Sequence, residues 1–190
     1  MLRWLLHRQV AKFERAWNYD AAYAHELIDA DPRAMMLFGK TQALGRYRKD
    51  VPPEAQLAAG LVAVMAEDCG PCTQLGIDMA ERSGVDPAIV RAVVARNYEA
   101  VPFKVALAAR FAEATLQRAP EADDLREEVV RQFGKRGLVS LAFAILSGRV
   151  YPTVKYALGH GHACRRLTIG GETQTVRRDL TLIASRASAA

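Results

Sequence analysis

The stretch Glu54 to Ala66 is Ala-rich, apolar on nearly every side and about the length of one helix. It runs directly into Glu67-Asp68-Cys69-Gly70-Pro71-Cys72. Leu57, Leu61, Val62, Val64 and Met65 mark it as a central buried helix. That order constrains the fold, because a Cys-Gly-Pro-Cys of the thioredoxin kind needs a strand before it. Pro71 suits a first helical position. After Cys72 the apolar or small positions fall at Leu75, Gly76, Met79, Ala80 and Ser83. This spacing predicts a thiol helix over 71–83, stopped by Gly84. If its first turn is helical, Cys69 and Cys72 share a face.

The remaining punctuation also predicts helices. A first helix spans 2–17 and a second 20–29, with Asp20 as its cap. Asp31-Pro32 opens a third over 32–47, since Asp accepts from orphan N–H groups and Pro presets φ. Residues 49–53 form a loop. Asp86-Pro87 repeats the start signal for a short helix carrying Ile89, Val90, Val93 and Val94. A helix over 103–118 follows, then a short one through Phe133 ending at Gly134. A long apolar helix runs from Leu138 to Leu158, and Pro152 predicts a kink near Ser147-Gly148. Arg166 to Val176, about Gly170-Gly171, reads as a small β-hairpin. Residues 180–190 read as a frayed end. The expected division is an N-terminal helical arm (1–50), a helical domain (51–164) and a hairpin with tail (165–190).

Charge and cysteine usage narrow the function classes. The net charge of +5 comes from 26 basic and 21 acidic residues. It is scattered, with no basic block interleaved with aromatics, so nucleic acid is not an expected partner. Three cysteines do not make a secreted disulfide framework. No continuous apolar run reaches membrane-spanning length, so a membrane is not expected either. Residues 1–17 are basic and amphipathic, with Leu2, Leu6, Val10, Phe13 and Trp17 on one side. They fit a surface-lying or transit segment less well than an arm that docks on the body or on a neighbouring subunit. His7 and His25 read as surface or interface residues of that arm. The default compartment is the cytoplasm.

Four chemistries compete for the cysteine pair: buried small apolar residues, half of a zinc site, a static disulfide, and a redox-active dithiol. No second CxxC or HxxxH accompanies it, which counts against zinc. The Gly-Pro insert and the helix start favour the dithiol, because unpaired N–H groups and the positive end of the helix dipole stabilise a thiolate. Glu67 and Glu54 are candidate proton relays if folded inward; each also reads as a solvated carboxylate. His160-Gly161-His162-Ala163-Cys164 is the other cluster of chemistry-bearing residues. His160 reads either as a helix-end cap or as a group swung toward the thiols.

A central apolar helix, a CxxC helix ending at Gly, a short Asp-Pro helix and two or three more helices resemble the alkylhydroperoxidase-D-like (carboxymuconolactone decarboxylase-like) family. The likeness covers about 50–160. It is carried by Cys69-Gly-Pro-Cys72, the spacing to Gly84, Ala109-Arg110-Phe111-Ala112 and Tyr156-Ala157-Leu158-Gly159. The resemblance implies an all-α, oligomeric protein whose cysteine pair reduces peroxides. Family members add a His four residues after the second Cys and a Glu about a dozen before the first. Here those positions hold Gly76 and, approximately, Leu57. By resemblance Cys72 is the attacking sulfur and Cys69 the one exposed to the reductant. Gly76 leaves room for a group from elsewhere in the chain.

The expectation is an all-α fold with an N-terminal arm and a small C-terminal hairpin. Its leading function is thiol–disulfide oxidoreduction, peroxide-reducing by resemblance, through Cys69 and Cys72, with Glu67, Glu54 and His160 as secondary site residues. No metal or organic cofactor is required. The partners would be a small peroxide or disulfide, a dithiol reductant protein and further copies of the chain, since the arm has an apolar face to cover. A non-thiol lyase of the decarboxylase kind and a non-catalytic helical oligomerisation module are the alternatives.

Overall fold

Proline opens helix after helix in this chain. The computed structural model describes residues 1–161 and 166–175. In order the helices are α1 (Leu2–Trp17), α2 (Ala22–Ala30), α3 (Pro32–Lys40), α4 (Gln42–Arg46), α5 (Pro53–Ala66), α6 (Gly70–Arg82), α7 (Pro87–Val94), α8 (Phe103–Gln117) and α9 (Ala122–Ala157). A short 3-10 turn, Tyr98–Ala100, precedes α8, and strands β1 (Arg166–Ile169) and β2 (Glu172–Thr175) follow α9. Asp31 and Asp86 cap as expected, accepting from Arg33 N and Ala88 N at 2.8 Å each. Asp20 accepts from Ala22 N at 2.9 Å. Gly84 ends the thiol helix at φ +84°, a conformation L side chains avoid.

Helix α5 is the hub. It packs on α8 and α9, with α6 and α7 against its remaining sides. Ala55, Ala58, Ala59 and Ala63 are fully buried, and their small side chains bring the neighbouring backbones close. The approach is tightest at Gly148 of α9, where an added Cβ would lie 2.5 Å from the Gly60 carbonyl oxygen and 2.8 Å from Ala63 Cβ.

The structure corrects the sequence expectation in two places. The single helix over 32–47 is two, broken at Thr41, whose hydroxyl donates to the Phe38 carbonyl at 2.6 Å. The break expected at Gly134 is present: its φ of 69° and ψ of 177° are not helical and separate the two helical parts of α9. The kink expected near Ser147-Gly148 is not where helical geometry fails, for residues around Pro152 keep helical dihedrals. Gly148 serves close packing instead. Helix α9 is 36 residues long and, by length and composition alone, apolar enough to cross a membrane. Reading only uninterrupted apolar runs concealed that; a third of its most apolar window is buried inside this fold.

The arm docks on the body of its own chain. Val10, Tyr19, Ala21, Tyr23, Ala24 and Ile28 form a second hydrophobic cluster, and Leu75 of α6 with Val154 and Leu158 beyond complete it. The apolar face of α1 that suggested a subunit contact is thus covered within the chain, while Leu2, Trp4 and Leu5 stay exposed. His7 and His25 staple α1 to α2, their Nδ1 atoms 2.7 Å apart. Arg82 clasps the end of α1 to α6, donating to the Ala16 carbonyl at 2.7 Å and stacking on Trp17.

The hairpin forms about Gly170 and Gly171, both at positive φ. It lies on α6: the Gln74 amide accepts from Thr168 N at 2.7 Å and donates to Thr168 O at 2.9 Å. Leu167 and Ile169 are buried beneath it.

Candidate functional site

The chain leaves α5 through a tight turn in which Asp68 adopts φ 55°. Left-handed backbone is costly for most L residues and tolerated by Asp and Asn. The Tyr156 hydroxyl donates to the Asp68 carbonyl at 2.8 Å. Cys69 follows as the residue before the first turn of α6, and its carbonyl accepts from Thr73 N at 2.9 Å and Thr73 Oγ1 at 3.0 Å. The helix thus begins as the Gly-Pro insert implied, and the two cysteines share a face. Their Cα atoms are 5.3 Å apart and the two sulfurs lie at disulfide distance.

Both sulfurs are buried. Cys69 is 0% exposed and Cys72 7%. The expectation that Cys69 would face the reductant is therefore corrected: its position beneath the α5–α6 turn seals it in the main core. Beside Gly76 the nearest side-chain atoms are Leu61 Cδ1 and Val64 Cγ1. The space one turn above Cys72 is lined by methyl groups and not by an imported polar group.

The polar group arrives at the sulfur itself, from the arm. The Tyr19 hydroxyl lies 3.7 Å from Cys72 Sγ. Lys155, buried in α9 with 2% exposure, donates from Nζ to the Tyr19 oxygen at 3.2 Å and to the Asp20 carbonyl at 3.5 Å. Its ammonium also lies over the Tyr19 and Tyr23 rings, 4.7 and 5.3 Å from their centroids. A charge this deep is costly unless it is hydrogen-bonded, and these contacts offset the loss of water. Burial pushes the Lys155 ammonium pKa down, with Asp20 opposing. Burial pushes the Tyr19 phenol up to about 12, while a hydrogen bond with Tyr23 pulls the other way. Tyr23 is displaced upward, first by burial and then by Tyr19 and Tyr151. At neutral pH Tyr19 is therefore a hydroxyl donor.

The other expected site residues point elsewhere. Glu67 pairs with the Arg149 guanidinium and accepts from Thr153 Oγ1 at 3.5 Å, so it is a partnered carboxylate, neither solvated nor aimed at the thiols. Glu54 lies in the first turn of α5, half-buried, at the end of the helix opposite the cysteines. His160 binds Glu26 of α2 at 2.6 Å, tying the end of α9 to the arm. His162 and Cys164 lie outside the described residues. A cleft of about 390 Å³ opens between the end of α1 and α6, lined by Arg15, Trp17, Asn18, Asp78, Glu81 and Arg82. It is next to the turn that carries Tyr19.

Sequence reasoning missed Tyr19 and Lys155. One signal for Lys155 existed: Leu141, Ile145, Gly148, Pro152 and Lys155 recur at the four-and-three spacing of one helix face. A lysine in register with a core stripe marks a buried charge. Tyr19, in the turn between two arm helices, carried no comparable signal. No family model matches the chain, and no curated protein or solved structure matches it.

Proposed function

We propose that the protein is a thiol–disulfide oxidoreductase whose Cys69–Cys72 pair cycles between dithiol and disulfide. The observation that carries this reading is the pair itself: two sulfurs at disulfide distance at the start of α6, with a hydroxyl held against one of them by a buried ammonium. The buried ammonium behind that hydroxyl favours this reading over a static disulfide or two inert core thiols. A hydrogen-bond donor and a cation near a sulfur are what lower the cost of a thiolate.

In the forward half-reaction one sulfur attacks a small hydroperoxide as thiolate, breaking the O–O bond, releasing the alcohol and becoming a sulfenic acid, and the other thiol displaces water from it to close the S–S bond; with a disulfide substrate the same two steps release its two thiols. A dithiol partner, itself oxidised to a disulfide, restores the pair. The likeness in helix order to alkylhydroperoxidase-D-like proteins supports the peroxide as substrate and self-association, and the cytoplasm is the default setting. The test is direct. The folded protein is reduced with a dithiol, desalted and titrated with a hydroperoxide. Loss of two thiols per equivalent, abolished in Cys69→Ser and in Cys72→Ser, supports the proposal. A disulfide that resists reduction in the folded state, or thiols that the hydroperoxide leaves untouched, would refute it and leave the lyase and the helical scaffold as the readings to pursue.

A further inference from the structure

We propose that Tyr19 is a catalytic residue of this pair, and Lys155 its positioning residue, together making Cys72 the sulfur that carries the negative charge after reduction. The inference rests on the redox reading above and adds the groups that tell the two sulfurs apart.

The argument is one of hydrogen-bond direction. An ammonium has three donors and no acceptor, so between Lys155 Nζ and the Tyr19 oxygen the lysine donates. With its oxygen accepting from Lys155, Tyr19 keeps its own hydrogen for Cys72 Sγ, 3.7 Å away. A disulfide sulfur has no hydrogen to give, so in the oxidised pair Tyr19 can only be the donor. The chain Lys155 to Tyr19 to Cys72 is therefore polarised in one direction, toward the sulfur.

Reduction converts this weak contact into a charge-assisted one. A dithiol gives up two electrons and two protons and closes its own disulfide. The Cys69–Cys72 bond takes up both electrons. One proton goes to Cys69, the other to solvent, and Cys72 Sγ keeps the charge against the Tyr19 hydroxyl. Cys69 has no equivalent described contact and lies in the apolar core, where a thiol is favoured over a thiolate. The charged groups around this turn include Asp20 on the arm side, which opposes Lys155 only in part, the Glu67–Arg149 pair, whose charges offset each other, and Asp68, the residue before Cys69, whose negative charge adds to the preference for a neutral thiol there.

The experiment measures which sulfur is thiolate. The full chain is reduced with dithiothreitol, desalted and pulsed with iodoacetamide across a pH series. Alkylation at Cys69, Cys72 and Cys164 is then read by peptide mass, with the ultraviolet thiolate absorbance followed in parallel. Expected are a Cys72 midpoint below that of Cys69 and a shift upward by about one pH unit, or tenfold less thiolate at neutral pH, in Tyr19→Phe and in Lys155→Met. Lys155→Arg, which keeps a cationic donor, should restore part of the shift. Tyr19→Phe keeps the covering ring, so it tests the hydroxyl even where Lys155→Met fails to fold. An unchanged Cys72 midpoint in Tyr19→Phe, with reversible cycling intact, overturns the inference and leaves the redox function standing. A pair that no dithiol reduces in the folded wild type overturns both.

Discussion

Tyr19 and Cys72, 53 residues apart in the chain, meet at 3.7 Å, so the N-terminal arm is part of the wall around the cysteine pair. The arm is a cover as well as a donor: Tyr19 is 7% exposed and Cys72 is equally so beneath it.

Removing the cover should open the pair. In Tyr19→Ala the ring is lost, and dithiothreitol should reduce the disulfide several-fold faster than in Tyr19→Phe, which keeps the ring but lacks the hydroxyl that steadies the departing Cys72 thiolate and should reduce more slowly than the wild type. Stopped-time alkylation and mass analysis read both. Equal rates for all three proteins would show that solvent reaches the sulfurs by another route.

The aromatic cluster predicts an alkaline loss of stability. Tyr19 titrates at about 10 in the unfolded chain and at about 12 in the fold, chiefly because burial disfavours the phenolate. Between those values the unfolded state releases a proton that the folded state retains. Its contribution is complete below pH 10 and declines as pH rises toward 12. Urea unfolding at pH 9, 10 and 11 should show a steeper decline in wild type than in Tyr19→Phe. A steeper decline in the variant would contradict the burial.

Lys155 acts with the opposite sign. Its folded pKa is lowered, so the penalty for burying its charge is complete below the folded value and is relieved as pH rises from there toward the unfolded 10.5. Lys155→Met replaces the charge with an apolar chain of similar length and should be at least as stable as wild type at pH 7. Urea titrations of the two proteins at pH 7 and pH 10 should converge as the lysine neutralises.

The α5–α9 contact should not tolerate a methyl group. Gly148→Ala places a Cβ against the Gly60 carbonyl and Ala63, and overpacking of this kind costs about 1–3 kcal/mol. Thermal unfolding checks it, with Gly39→Ala, whose added Cβ meets nothing within 4 Å, as the control.

His160→Ala and Glu67→Gln should leave cycling of the pair unchanged, because these side chains are engaged with Glu26 and with Arg149. A fall in hydroperoxide consumption in either variant, with melting unaffected, would return that residue to the catalytic site.

Most of the helices were legible in the chain, and for a local reason. Asp31-Pro32 and Asp86-Pro87 start helices because a side-chain acceptor and a preset φ act within one turn. Gly84 and Gly170-Gly171 stop or reverse the chain because positive φ is open to glycine. The juncture of Cys69 with Cys72 was equally visible, since residues three apart at a helix start are neighbours whatever surrounds them. Where local signals were ambiguous the reading failed: Thr41 divides a stretch that reads as one helix, and Gly148 proved to be a contact surface for α5 and not a kink.

The partner of the thiols was of a different kind. A sequence alone determined that this chain is helical, where its helices start, and that two sulfurs sit together at one of them. Only tertiary packing decided that the arm folds back over α6 and that Lys155, 136 residues beyond Tyr19, comes up beneath it. Helix caps and periodicity are set by forces reaching one or two turns, whereas that meeting depends on how whole helices close against each other.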